Sequence, residues 1–189
     1  MGTSDRGSIT SRRVQGRVFH PVRSDPVPIV FRPLSENDLA RVAALNTDAV
    51  PAVNDLTIAE LRTLVGRCVL AVAALEDDEL LGFLLALEPG ADYASENYRW
   101  FSERSTDFLY VDRIVVDPSA HGRGIGRALY EQAFAVAAEG ERARVCCEVN
   151  TLPPNPESMA FHARLGFTEV GRQSTKGGTV EVALLERTL

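Results

Sequence analysis

Cysteine is scarce in this chain. Three occur in 189 residues, at positions 68, 146 and 147, with no C-x-x-C spacing. An odd count without paired spacing excludes a disulfide framework and a thiol zinc site. Cys146 and Cys147 fall in a predicted strand, so they point to opposite faces and read as small apolar residues in a reducing compartment. The three histidines are too scattered to form a metal-binding cluster, and no metal is expected. No apolar run approaches the ~20 residues that a membrane helix needs, and the N-terminal stretch lacks the apolar segment of a secretion signal. Excess positive charge is missing too. The net charge of −6 argues against a nucleic-acid surface and permits a basic substrate.

What is present is ordinary globular chemistry, 45% apolar and 24% charged, in a length that suits one domain with a sizeable core. Residues 1–26 differ. Arginines at 6, 12, 13, 17 and 23 stand among Ser, Gly and Thr with no apolar period, which reads as a disordered basic tail before a single domain over 27–189. An organelle transit peptide is a second reading of that composition. The Ala/Arg/Val-rich chain suggests a bacterial, cytoplasmic protein.

Apolar spacing predicts a strand at 29–32 and helices at 37–45 and 57–65. Two apolar runs at 68–75 and 80–87 flank the acidic turn Glu76–Glu79 and form a hairpin. Residues 89–107 read as a long aromatic-rich loop. A strand at 108–116, a helix at 124–139, a strand at 144–150 and a helix at 156–165 follow. A closing hairpin pairs 167–171 with 179–185 across Lys176–Gly178. The order β α α β β β α β α β β implies an α/β domain with a mixed sheet and helices on both faces.

The strand-to-helix junction at 108–129 is the most informative segment. Asp117-Pro118-Ser119-Ala120 leads into His121-Gly122-Arg123-Gly124-Ile125-Gly126-Arg127. The first N–H groups of a helix lack intrahelical partners and carry partial positive charge, so they can grip a phosphate. The three glycines leave room for a ligand and can take up positive φ, while Arg123 and Arg127 add charge. The glycine spacing is not that of a dinucleotide-binding turn, and no lysine is present for a P-loop.

This junction resembles the acetyl-CoA pyrophosphate loop of GNAT-superfamily N-acetyltransferases, whose Gln/Arg-x-x-Gly-x-Gly/Ala pattern falls on His121, Gly124 and Gly126. A second block, Asn155 to Phe167, is similar to the family's Asn-x₆-Tyr-x₃-Gly-Phe helix, with His162 in the tyrosine position. The resemblance spans about Ile29 to Leu185. It implies a GNAT-like, mostly antiparallel sheet of about six to seven strands. It also implies acetyl-CoA as acyl donor and transfer to a primary amine of a small molecule or peptide in a ternary complex. The pantetheine arm is expected along Ile114, Val115 and Val116 like an added strand, with the Val116 N–H as an oxyanion donor. Asn155 and His162 complete the expected cofactor contacts. Asn155 also suits a helix N-cap before Pro156.

An amine acceptor must lose a proton, and a carboxylate in a drying cleft can take it. Glu148 and Asp112, acids inside apolar strands, are the two readings, with Glu148 first. Asp112 is expected on the face of Ile114 and Val116, and Arg113 could instead pair with Glu148 as a structural ion pair. His162 is read either as the acid for the leaving thiolate or as a polar residue packed near the sulfur. Tyr93, Tyr98 and Trp100 form either an acceptor wall or a loop pinned to the domain. A non-catalytic acyl-CoA sensor and a longer acyl donor such as succinyl-CoA are the rival readings. The oligomeric state is left open, a homodimer among the options.

Overall fold

The computed structural model describes residues 1–2 and 28–189. Apart from Met1 and Gly2, the basic stretch at 1–26 lies outside the described residues. Seven strands form one sheet in the order β1-β2-β3-β4-β5-β7-β6. They are β1 (Val30–Pro33), β2 (Leu70–Glu76), β3 (Glu79–Leu87), β4 (Leu109–Val116), β5 (Arg144–Leu152), β6 (Thr168–Thr175) and β7 (Val180–Thr188). The helices are α1 (Leu39–Asp48), α2 (Ile58–Val65), α3 (Glu96–Ser102), α4 (Ile125–Glu139) and α5 (Pro156–Arg164). Every strand pair is antiparallel except β4–β5.

Helices cover both faces, and each face has its own core. Ile125, Leu129 and Ala133 of α4 pack with Leu109, Val111 and Val145 on one side. Val42 and Leu45 of α1, with Leu61 and Leu64 of α2, pack with Phe83, Tyr110 and Leu184 on the other. Cys146 belongs to the second core and Cys147 to the first, as strand alternation requires. The tight β2–β3 turn works because Asp77 and Asp78 both take positive φ, which short polar side chains tolerate better than most.

Residues 89–107 are not wholly a loop. Ser95 caps α3, its Oγ accepting from the Tyr98 N–H at 3.3 Å. Tyr98 and Phe101, three residues apart, turn inward and pack edge-on or tilted against Phe108 and Tyr110. The helix is seven residues long and holds aromatic and polar residues of modest helix propensity. Tertiary aromatic packing, rather than local preference, holds it.

Two irregularities in β4 shape the site. Leu85 pairs with Arg113 while the next β3 residue, Ala86, pairs with Val111, so Asp112 is an extra residue without a partner. Such a bulge shifts the side-chain alternation by one. Leu109, Val111, Ile114 and Val116 face α4, whereas Tyr110 and Val115 face α1. Asp112 therefore does not share the face of Ile114 and Val116. Both it and Arg113 turn to the α1 side. The second irregularity is a splay. The parallel β4–β5 pairing is confined to Leu109–Val145 and Tyr110–Cys146, which leaves the Val111–Val116 edge of β4 free of β5.

Candidate active site

A cleft of about 740 Å³ runs from the glycine turn, through the gap between β4 and β5, to the segment that joins α1 to α2. At its first end, Gly122 and Gly124 take φ of +77° and +81°, and open space surrounds the position of an added Cβ at each. Gly124 is the N-cap of α4. None of the backbone N–H groups from Gly122 to Arg127 finds an acceptor among the described residues. Six bare amides at a helix start form an anion cradle. Gly126 has a different duty. A Cβ there would sit 3.2 Å from the Phe161 ring, so the glycine lets α5 close on the start of α4.

The arginines of the turn contribute less than their positions suggest. Arg123 is ion-paired with Glu76, its Nη1 donating at 3.0 Å, and it does not line the cleft. Arg127 lines it but is largely exposed and pairs with Glu131. Arg164, from the last turn of α5, also lines the cleft and was not among the expected residues. The His121 ring bonds the Val116 carbonyl at 3.0 Å through Nε2. A carbonyl only accepts, so this nitrogen carries a proton and is engaged by the chain itself.

Along β4, the Asp117 N–H donates to Leu81 of β3 at 2.7 Å. Successive strand residues present their backbone groups to opposite edges. The N–H groups of Ile114 and Val116 therefore face the gap, while those of Val115 face β3. A donor that pairs with this edge would meet Ile114 and Val116. Val115 offers the cleft only its side chain.

Glu148 lies in the cleft between β4 and β5. Its carboxylate accepts from the Tyr110 hydroxyl at 2.6 Å and the Asn97 side chain at 3.0 Å. No cation contacts it among the described residues. Burial, with Asp112 nearby adding repulsion, pushes its carboxyl up to about 7, against the opposing pull of its two hydrogen bonds. Gln173 of β6 donates to the Asn97 Oδ1 at 3.2 Å, which fixes the amide so that its NH₂ faces Glu148. Neither Asn97 nor Tyr110 stood out as a site residue in the sequence, because only α3 and the β4–β5 register bring them here. Both hydrogen bonds favour the ionised carboxyl. Tyr110→Phe or Asn97→Ala is expected to raise the acid limb of the kcat/KM profile by about one pH unit, with Gln173→Ala a smaller shift in the same direction. An unmoved limb in all three would contradict this network.

Arg113 pairs not with Glu148 but with Asp112, at 2.7 Å. Its fork also reaches the Asn46 Oδ1 at 2.7 Å and the Asn54 Oδ1 at 3.1 Å. Asp112 in turn accepts from the Tyr93 hydroxyl. The buried pair thus ties the α1–α2 connection and the segment before α3 to the bulge. Asn150 of β5 holds the same connection through the Pro51 carbonyl at 2.9 Å. With both oxygens engaged, Asp112 is a structural anchor rather than a free base.

His162 is 4% exposed. Its Nδ1 lies 2.8 Å from the Ser158 carbonyl and its Nε2 2.7 Å from the Tyr130 hydroxyl. The carbonyl assigns the proton to Nδ1, so Nε2 accepts from Tyr130 and has no proton to give. Burial also lowers the histidine's pKa. The ring is packed edge-on against Tyr130, Phe161 and Phe167. This placement fits the packed polar residue and not the thiolate acid. Asn155 caps α5 through the Ser158 N–H at 3.1 Å and lines the cleft as well.

The three expected acceptor aromatics do not converge. Tyr98 is buried, and its hydroxyl donates to the Glu88 carbonyl at 2.6 Å. Trp100 lies against Gly171 of β6, where a Cβ would come within 2.6 Å of its ring, and lines a separate small pocket. Tyr93 donates its hydroxyl to Asp112 and packs edge-on against Tyr98. Asp48, Ala49, Ala52 and Val53 line the far end of the cleft instead, a placement that loop composition alone does not reveal.

The family model described as Acetyltransferase (GNAT) family matches residues 40–167. The chain belongs to this family. GNAT proteins take an acetyl group from acetyl-CoA, and the chain is an N-acyltransferase using that donor. It is 32% identical over 131 residues to "Probable glucosamine 6-phosphate N-acetyltransferase 2" of Oryza sativa subsp. japonica, covering 65% of this chain and 71% of that protein. It is 26% identical over 132 residues to "Peptidyl-lysine N-acetyltransferase YjaB" of Escherichia coli, covering 66% and 71%. The structure of Arabidopsis thaliana NAA60 in complex with acetyl-CoA superposes with a TM-score of 0.68 at 21% identity, over 86% of this chain and 100% of that one. The GNAT assignment fits the cleft, since the bare amides suit a diphosphate and the open β4 edge suits an amide-bearing arm. Among the described residues no helix is long and apolar enough to cross a membrane.

Proposed function

We propose that the protein acetylates a primary amine by direct transfer, with donor and acceptor bound together and Glu148 taking the amine proton. The observation that carries this reading is a half-buried carboxyl with no cation on it among the described residues, pushed up to about 7, in the same cleft as the glycine turn. Acetyl-CoA supplies an acyl group already activated as a thioester. The chain's residues do the rest. The amides of Gly122–Arg127 hold the phosphates, Ile114 and Val116 align the arm, and the Val116 N–H faces the gap where oxygen gains charge. One such donor is worth ~3–4 kcal/mol in other enzymes. An alkylamine of pKa ~10.4 is mostly protonated at neutral pH, so a base near neutrality inside the cleft is matched to the task.

A covalent acyl-enzyme is disfavoured. The cysteine lining the cleft, Cys147, is buried and its thiol is pushed well above the usual range by desolvation, whereas a nucleophilic cysteine needs its thiolate. With thiols at 68, 146 and 147 all free, the reducing cytoplasm is the compartment we assign. The two relatives act, by name, on an amino-sugar phosphate and on peptidyl lysine, so the acceptor class is not inherited from them. The test is release of free CoA thiol with a panel of amines. Release that requires an acceptor, with intersecting double-reciprocal lines, supports direct transfer. Parallel lines and an acetylated protein mass would overturn it.

A further inference from the structure

We propose that the acceptor is an aliphatic primary amine without an anionic group, and that a second positive charge on its stem improves it. The inference rests on the reading of Glu148 as the base. At the acceptor end the buried cation is Arg113, which is 4% exposed. Its Nε donates to Asp112 at 2.7 Å, and its two other nitrogens are held by Asn46 and Asn54. A paired carboxylate cancels its charge, and the fork that would grip a phosphate or carboxylate is already filled.

Among the described residues, the other arginines lining the cleft are Arg127 and Arg164. They belong to the glycine turn and to the last turn of α5, which Phe161 packs against Gly126. They serve the donor's phosphates. The acceptor end keeps the Glu148 carboxyl and, at its rim, the exposed Asp48, between the apolar walls of Leu45, Ala49 and Val53. Among the described residues, an anionic acceptor meets carboxylates and no free cation, which is discrimination by repulsion. A cationic stem lays its methylenes on the apolar wall and its charge near Asp48.

The test uses three acceptors with one five-carbon stem, namely 1,5-diaminopentane, pentylamine and 5-aminopentanoate, plus glucosamine against glucosamine 6-phosphate. At low ionic strength kcat/KM is expected to fall about tenfold or more at each step from diamine to monoamine to amino acid, and again on adding the phosphate. Added salt is expected to shrink the steps. Asp48→Asn should narrow the advantage of the diamine. Asp112→Asn should unmask Arg113 and narrow or reverse the penalty on 5-aminopentanoate. Equal or better use of 5-aminopentanoate or glucosamine 6-phosphate overturns the inference. Calorimetry of the same three amines on the protein saturated with CoA ranks them without chemistry. The predicted ranking without turnover defeats only Glu148 as base, whereas a flat or inverted ranking defeats the acceptor class.

Discussion

Gly124→Asp is expected to weaken acetyl-CoA binding more than 100-fold while leaving the fold in place. Gly124 caps α4 at φ +81° with open space where a side chain would project. Aspartate is among the side chains that best tolerate a left-handed position and a helix N-cap, so the change in melting temperature should be a few degrees at most. Its carboxylate, however, would enter the ring of bare amides meant for a diphosphate. It would satisfy those amides itself and repel the ligand. The checks are calorimetric titration with acetyl-CoA and a melting curve of the same sample. Unchanged affinity would remove the phosphate role of the turn.

Glu148→Gln carries the second large effect, with opposite signs on rate and stability. Loss of a general base typically costs ~10²–10⁴ in rate. The same carboxyl is a burden to the folded state above neutral pH, because folding raises its pKa from 4.5 to about 7. The folded protein binds the proton more tightly than the unfolded chain, so stability falls as pH rises from near 4.5 through 7. Glutamine is neutral throughout and can still accept from Tyr110. At pH 8 the variant should be more stable by about 1–3 kcal/mol, and near pH 4 the two proteins should converge. Melting curves at both pH values read this directly. A variant less stable at pH 8 would mean that Glu148 is a satisfied structural group.

Much of this was legible along the chain. Apolar periodicity located each strand and the four longer helices, because each element packs a regular face. The glycine spacing marked the turn with bare amides, since residues without a Cβ take positive φ and leave those amides uncovered. What was not legible depends on contacts between distant segments. The bulge at Asp112 shifts the alternation of β4 because of its register with β3, which a strand read alone does not disclose. Arg123 looks like a phosphate ligand until Glu76, 47 residues earlier, is seen to hold it. Helix α3 arises from the burial of Tyr98 and Phe101 beneath β4, and with it come Asn97 and the orientation of Glu148. His162 occupies the place of the family's tyrosine, yet its one ring proton goes to the Ser158 carbonyl and its other nitrogen accepts from Tyr130.

The pH dependence of kcat/KM for an amine acceptor, in the wild type and in Glu148→Gln, tests the central claim most directly. In the wild type the profile should drop below an acid limb near pH 7, where Glu148 takes up its proton. In the variant that limb should vanish and the plateau should stand at least about 100-fold lower. A variant that keeps both the wild-type limb and the wild-type rate would contradict the account.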